Sequence, residues 1–185
     1  MKPKVVARGK RVRLVVPDEK QLHEFLGCVA ESRELHGEWV GPPSTPAGYR
    51  AYVQRLSADE HHGFFVREND GDEALVGVVN VNNIVRGAFE SGYLGYYGFA
   101  GGVGRGLMTE GLSLVIDHSF KALSLHRLEA NIQPGNEPSK ALVKRLGFRN
   151  EGYSPQYLRI SGAWRDHERW AILAPEWADW KTRNS

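Results

Sequence analysis

The stretch Gly92-Tyr93-Leu94-Gly95-Tyr96-Tyr97-Gly98-Phe99, with Val103-Gly104-Arg105-Gly106-Leu107-Met108 close behind it, decides how this chain is read. Its first half has the aromatic enrichment of a strand, interrupted by glycine. Glycine weakens a strand and often marks a bulge, or a place where a ligand approaches the backbone. The second half is a glycine turn that opens a helix, since Leu112, Val115, Ile116, Phe120 and Leu123 recur at helical spacing as one apolar stripe. Such a turn suits an anion. The first N–H groups of a helix lack intrahelical acceptors, and the helix dipole places partial positive charge on them. Gly104 and Gly106 carry no side chain to hold a phosphate oxygen away, and Arg105 adds a full charge. Taken alone, the same residues also describe plain turn geometry. Two common phosphate sites do not fit. A P-loop requires Gly-Lys-Ser/Thr, where this chain has Gly106-Leu107-Met108, and a dinucleotide fold carries its glycines after the first strand.

The flanking sequence places that stretch in a fold. Val12 to Val16 reads as a first strand stopped by Pro17, and Leu22, Phe25, Leu26 and Val29 form the apolar face of a first helix. Gly37 to Gly48, with three prolines, reads as a loop before a second helix over Tyr52 to Leu56. Gly63–Val66 and Leu75–Val79 form a hairpin around Asn69-Asp70-Gly71, which makes 92–99 the fourth strand. His126 to Ile132 alternates, with Leu128, Ala130 and Ile132 on one face, and is the fifth. Asn136-Glu137-Pro138-Ser139 opens a helix that ends at Gly147. A last hairpin over Tyr157–Ile160 and Ala163–Leu173 precedes a short closing helix at Pro175–Trp180. This order predicts an α/β fold: one domain over residues 1–185, with a mixed, twisted sheet of about seven strands flanked by helices. If the fourth and fifth strands run parallel and splay apart, Asn136 and Ser139 face the gap between them. The plainer alternative is that Asn136 caps its helix and Ser139 sits in the first turn.

Composition narrows the partners. Of 185 residues, 41% are hydrophobic and 25% charged, the ordinary balance of a soluble globular chain. A net charge of +2 and a pI of 8.7 argue against nucleic acid as the main ligand, yet suit a small polyanion in a local basic patch. Cys28 is the one cysteine; it reads as a small buried hydrophobe, and a reducing, cytoplasmic setting fits best. The N-terminal residues lack the apolar run of a signal peptide, and no apolar stretch is long enough to span a membrane. No metal is expected. His61 and His62 are adjacent, so their imidazoles point different ways, and Asp117-His118 has no visible third partner.

The ordered set formed by the fourth strand, Val103-Gly104-Arg105-Gly106-Leu107-Met108-Thr109-Glu110, Asn136-Glu137-Pro138-Ser139 through Leu146-Gly147-Phe148, and Glu151-Gly152-Tyr153 resembles the GNAT superfamily of N-acetyltransferases. The closing Gly162-Ala163-Trp164-Arg165-Asp166-His167 narrows the likeness to the RimJ/RimL type, nearer RimJ. The resemblance covers roughly the whole chain. It implies acetyl-CoA as cofactor, with Val103, Gly104, Arg105, Gly106, Leu107 and Met108 around its pyrophosphate, the strand end at Gly98 and Phe99 beside the pantetheine amides, and Asn136 and Ser139 across the cleft. Ser139 would contact the leaving thiolate, because the tyrosine acid of many relatives is Val143 here. Tyr93 occupies the place of a glutamate base found early in this strand in many relatives. Val103 departs from the polar residue that usually begins the loop, and Phe99-Ala100 stands where Asp-Pro is common.

The resemblance implies attack of a neutral amine on a thioester. An α-amine with a pKa of about 7.7–8.0 is roughly one-tenth neutral at pH 7, and a lysine near 10.4 only about 4 parts in 10,000. A chain with no strand carboxylate therefore favours an N-terminal α-amine, of a peptide or a (ribosomal) protein. A small amine or an antibiotic as acceptor, and a non-catalytic acyl-CoA-binding module, are the alternatives. The chain is expected to be a monomer or homodimer without a membrane partner.

Overall fold

The computed structural model describes residues 4–184; Met1 to Pro3 and Ser185 lie outside it. Eight strands form one sheet: β1 (Val5–Arg8), β2 (Val12–Val15), β3 (His62–Glu68), β4 (Leu75–Val85), β5 (Ser91–Gly98), β6 (Arg127–Ile132), β7 (Arg149–Ile160) and β8 (Ala163–Leu173). Their spatial order is β1-β2-β3-β4-β5-β6-β8-β7. All neighbours are antiparallel except β5 and β6, which run parallel. The helices are α1 (Leu22–Glu31), α2 (Arg33–His36), α3 (Pro46–Arg55), α4 (Leu107–Lys121), α5 (Glu137–Arg145) and α6 (Ala174–Asn184). None of them is long and apolar enough to cross a membrane.

The α/β architecture expected from the sequence is present, with one strand more than predicted. The extra strand, β1, is four residues long and irregular in register, too short to show periodicity. Helix α3 begins at Pro46, well before Tyr52, because the Thr45 side chain accepts from the Gly48 amide and proline occupies the first turn. The last hairpin is also longer, its first strand starting at Arg149.

Each face of the sheet buries its own core. Val79, Val81, Leu94, Leu112, Ile116, Leu128, Ala130 and Val143 pack with α4, α5 and α6 on one face. Phe25, Tyr49, Tyr52, Phe65, Val78 and Phe99 pack with α1 and α3 on the other. Strand alternation thus sends Leu94 and Tyr96 to the α4–α5 face, and Tyr93, Tyr97 and Phe99 to the α1–α3 face.

Candidate functional site

The β5–β6 ladder joins Ser91↔Arg127 to Leu94↔Ala130 and then stops, although both strands continue. On its other edge β5 stays paired with β4 through Gly98↔Gly77, its irregularity lying between Asn82 and Val85 and not at Gly98. The Phe99 amide donates to the Val76 carbonyl at 2.7 Å, so alternation turns the backbone polar groups of Gly98 and Tyr96 away from β4, into the gap. The Gly98 carbonyl indeed accepts from His36 Nε2 at 2.9 Å, which fixes the proton on that ring nitrogen. The gap is a cleft of about 520 Å³, a size suited to an extended small molecule.

The glycine turn closes one end of this cleft. Gly104 and Gly106 have φ of 75° and 72°, a left-handed conformation that costs an L side chain about 1–2 kcal/mol. Gly106 lies immediately before α4, so successive amides converge where the helix begins, a concave nest for an anion. Gly77 serves the same end of the cleft from β4: a Cβ there would lie 2.4 Å from Met108 Sδ and 2.6 Å from the Tyr97 carbonyl. Val103, Gly104, Gly106 and Met108 line the cleft, as do Gly98 and Phe99. Arg105 and Leu107 do not. The Arg105 guanidinium forms two hydrogen bonds to the Glu68 carboxylate, at 2.6 and 2.7 Å, and Leu107 is buried in the core. Arg11 hydrogen-bonds the Arg105 carbonyl and pairs with Glu110, and the cation that lines the cleft itself is Arg145, in the last turn of α5.

Asn136 and Ser139 lie across the cleft. Asn136 caps α5, its Oδ1 accepting from the Ser139 amide at 3.2 Å, while both residues still line the gap. Ser139 Oγ donates to Tyr96 Oη at 2.7 Å, and the Tyr96 hydroxyl donates back to the Ser139 carbonyl at 3.2 Å. Burial pushes the Tyr96 phenol well above its usual range, despite the opposing pull of Ser139, and so keeps it a protonated donor. Tyr96 was not among the expected site residues. Its signal was its place on the same side of the strand as Gly98, two residues on. Trp39, an aromatic that the sequence offers equally as groove lining or as core, lines the cleft; His36, which also lines it, gave no signal, because the segment between the first helix and the prolines has no periodicity. Val143 is wholly buried.

Tyr93 lies apart from this group. It faces the α1–α3 side, half-buried, opposite Glu129 of β6; burial, then Glu129 and Tyr157, push its phenol upward. A second hollow of about 400 Å³ opens on that side, lined by Pro42, Pro43, Tyr52, Arg55, Asn80 and Tyr97, and Tyr97 borders both spaces. Asp117 of α4 is a structural residue, accepting from Trp177 Nε1 at 2.7 Å and from Lys181 at 2.6 Å.

Known proteins share this arrangement. Residues 11–149 match the model of the acetyltransferase (GNAT) domain. The chain is 39% identical to the [ribosomal protein uS5]-alanine N-acetyltransferase of Escherichia coli, over 95% of this chain and 94% of that one. It is 33% identical to the probable N-acetyltransferase YjcK of Bacillus subtilis, over 91% and 97%. Among solved structures, Mycobacterium smegmatis RimJ in complex with CoA-disulfide superposes with a TM-score of 0.84 at 27% identity, covering 98% of this chain and 95% of that one. A parallel strand pair that parts beside a glycine turn, in a chain so matched from end to end, leads to one conclusion: the protein belongs to the GNAT family of N-acetyltransferases, on its RimJ/RimL-like side.

Proposed function

We propose that the protein transfers the acetyl group of acetyl-CoA to the N-terminal α-amine of a protein, a ribosomal protein being the acceptor to try first. The observation that carries this reading is the parting of β5 and β6 after Leu94↔Ala130, with the glycine turn at one end of the gap and the Ser139–Tyr96 pair at its side. Acetyl-CoA would supply an activated acyl carbon and a thiolate leaving group. The amides around Gly104 and Gly106 are suited to its pyrophosphate, with Arg145 as the nearby charge, and Val103 and Met108 as apolar walls. The Tyr96 backbone and the Gly98 amide lie on the strand edge that β6 leaves, which suits an amide-containing arm, while the Gly98 carbonyl is held by His36.

In a ternary complex the N–C bond forms, the C–S bond breaks, and the ammonium's protons pass to solvent and to the thiolate. Ser139 Oγ, which Tyr96 holds, would hydrogen-bond that sulfur. With an ordinary thiol pKa of about 8.5, the thiolate is a fair leaving group, and one hydroxyl is enough help. Amine access is from the α1–α3 side, where Tyr93 and the second hollow lie. The acceptor relative is named for alanine acetylation of uS5, which is why a ribosomal protein is preferred over a small amine.

Comparing the N-terminal masses of ribosomal proteins from cells with and without this chain tests the reading. At least one α-amine loses its acetyl group when the chain is removed. Unchanged N-termini, with a small amine losing acetylation instead, would overturn it.

A further inference from the structure

We infer that the second hollow, on the α1–α3 face of the sheet, is a subsite for a carboxylate that the acceptor carries a few residues beyond its reactive amine. The inference rests on the acetyl-transfer reading above and gives the substrate of that reading a chemical feature. The hollow, of about 400 Å³, takes its polar side chains from Tyr52, Arg55, Asn80 and Tyr97. Val40, Pro42, Pro43 and Ala51 supply an apolar wall, suited to the methylenes of an acidic side chain. No carboxylate of the described residues lines it.

Two of these side chains have donors to spare. Asn80 is 8% exposed, and its Oδ1 accepts from Tyr52 Oη at 2.8 Å. Its Nδ2 has no hydrogen bond among the described residues, nor is it one of their enclosed orphan atoms, so it opens on the hollow that Asn80 lines. An amide so placed is satisfied only by what enters the hollow. The Tyr97 hydroxyl is likewise without a partner among the described residues. Burial, then Tyr49, push its phenol upward against the pull of Arg55, and so keep it a protonated donor. The two side chains are diagonal neighbours on one face, since Asn80 pairs with Gly95 and Val78 with Tyr97.

Arg55 adds the charge. It ends α3, exposed, with Cζ 5.9 Å from the centroid of the Tyr52 ring. Arg67, Arg105 and Arg127 each hold a carboxylate of the chain, whereas Arg55 forms no ion pair among the described residues. One guanidinium and two neutral donors, with no carboxylate beside them, select an anion with several lone pairs. A cationic side chain would be repelled there, and a neutral amide would leave the guanidinium uncompensated. The hollow also lies close to the proposed chemistry. Gly95, the partner of Asn80, directly follows Leu94, the last β5 residue paired with β6. With strands about 4.8 Å apart and an extended peptide rising about 3.3 Å per residue, the carboxylate belongs within about the first four residues of the acceptor.

The test uses the full chain, acetyl-CoA and alanine-terminated peptides without lysine, in which each of the next three positions in turn is glutamate, glutamine or arginine. At one position glutamate should lower the peptide KM about tenfold against glutamine, with the acetyl-CoA KM unchanged. Arg55→Gln should raise the KM of that glutamate peptide to the glutamine value and leave the glutamine peptide as it was. Arg55→Glu should invert the order, so that the arginine peptide has the lower KM. Damage to the fold would weaken all the peptides alike and could not invert their order. Equal KM values for glutamate and glutamine at every position, or a glutamate preference that survives in both Arg55 variants, would overturn the subsite and leave the transfer reading standing. If the wild-type chain binds CoA and acetylates none of the peptides, the transfer reading fails and the subsite fails with it.

Discussion

Ser139 and Tyr96 exchange hydrogen bonds in both directions, hydroxyl to phenol and phenol to carbonyl, so each fixes the rotamer of the other. Replacing Ser139 with alanine removes the hydroxyl proposed to hydrogen-bond the leaving sulfur. Turnover is expected to fall by roughly tenfold to a hundredfold, about 1.4–2.8 kcal/mol, with the acetyl-CoA KM unchanged; steady-state kinetics read both. Tyr96→Phe leaves the serine in place but unheld, and it should lower kcat by less than Ser139→Ala while costing about 1 kcal/mol in urea unfolding. Ser139 was legible in the sequence through the motif around it. Tyr96 was not, because three tyrosines in one strand differ only in which face and which end of the ladder they occupy. The structure sends Tyr93 to one face and Tyr96 to the other.

At the scale of elements, the start of α4 is held by a carboxylate of its first turn as well as by its glycines. Glu110 accepts from the Arg11 amide at 2.7 Å and from Arg11 Nε at 3.0 Å, anchoring the helix to the β1–β2 hairpin. Burial would raise its carboxyl, but the Arg11 and Val12 donors outweigh burial and hold it below the ordinary glutamate range. A depressed carboxylate contributes stability that is present above its unfolded pKa and lost as pH falls through the folded one. Glu110→Gln should therefore be about 1–2 kcal/mol less stable near neutrality, and the difference should shrink in acid as the wild-type carboxylate protonates; urea titrations at several pH values measure it. Gly106→Ala forces a side chain into φ of 72° and should weaken CoA binding about tenfold, by calorimetry, with less than 2 kcal/mol lost in stability. Sequence periodicity revealed α4 and the strand before it, since a long apolar stripe and an aromatic run each fix one period. It did not reveal β1, four residues long, or the start of α3, which a threonine cap and a proline determine. Arg105 showed why a motif charge is ambiguous: its partner, Glu68, is 37 residues away in the chain, and only the fold brings them together.

The whole molecule divides its labour between the two faces of one sheet. The α4–α6 side is a continuous apolar core, closed by Trp177, which is 3% exposed, stacks on Trp180 at 4.8 Å and donates to Asp117. Trp177→Ala should cost about 3–5 kcal/mol in denaturant titration and leave the CoA affinity of the folded fraction unchanged, since α6 does not touch the cleft. The α1–α3 side is apolar near the helices and polar toward β6, where Asn80, Asn82, Glu129 and Asn131 lie. In the proposed reaction, cofactor between the parted strands and amine from the α1–α3 face meet just past Leu94↔Ala130, where the ladder ends. The measurement that tests this account most directly is a competition in one tube. Acetyl-CoA is offered to the chain with equal amounts of an alanine-terminated peptide lacking lysine and an N-blocked peptide carrying one lysine, and mass spectrometry locates the acetyl group. The account predicts acetylation of the alanine α-amine, in large excess over lysine. Equal labelling, or labelling of the lysine peptide alone, would contradict it.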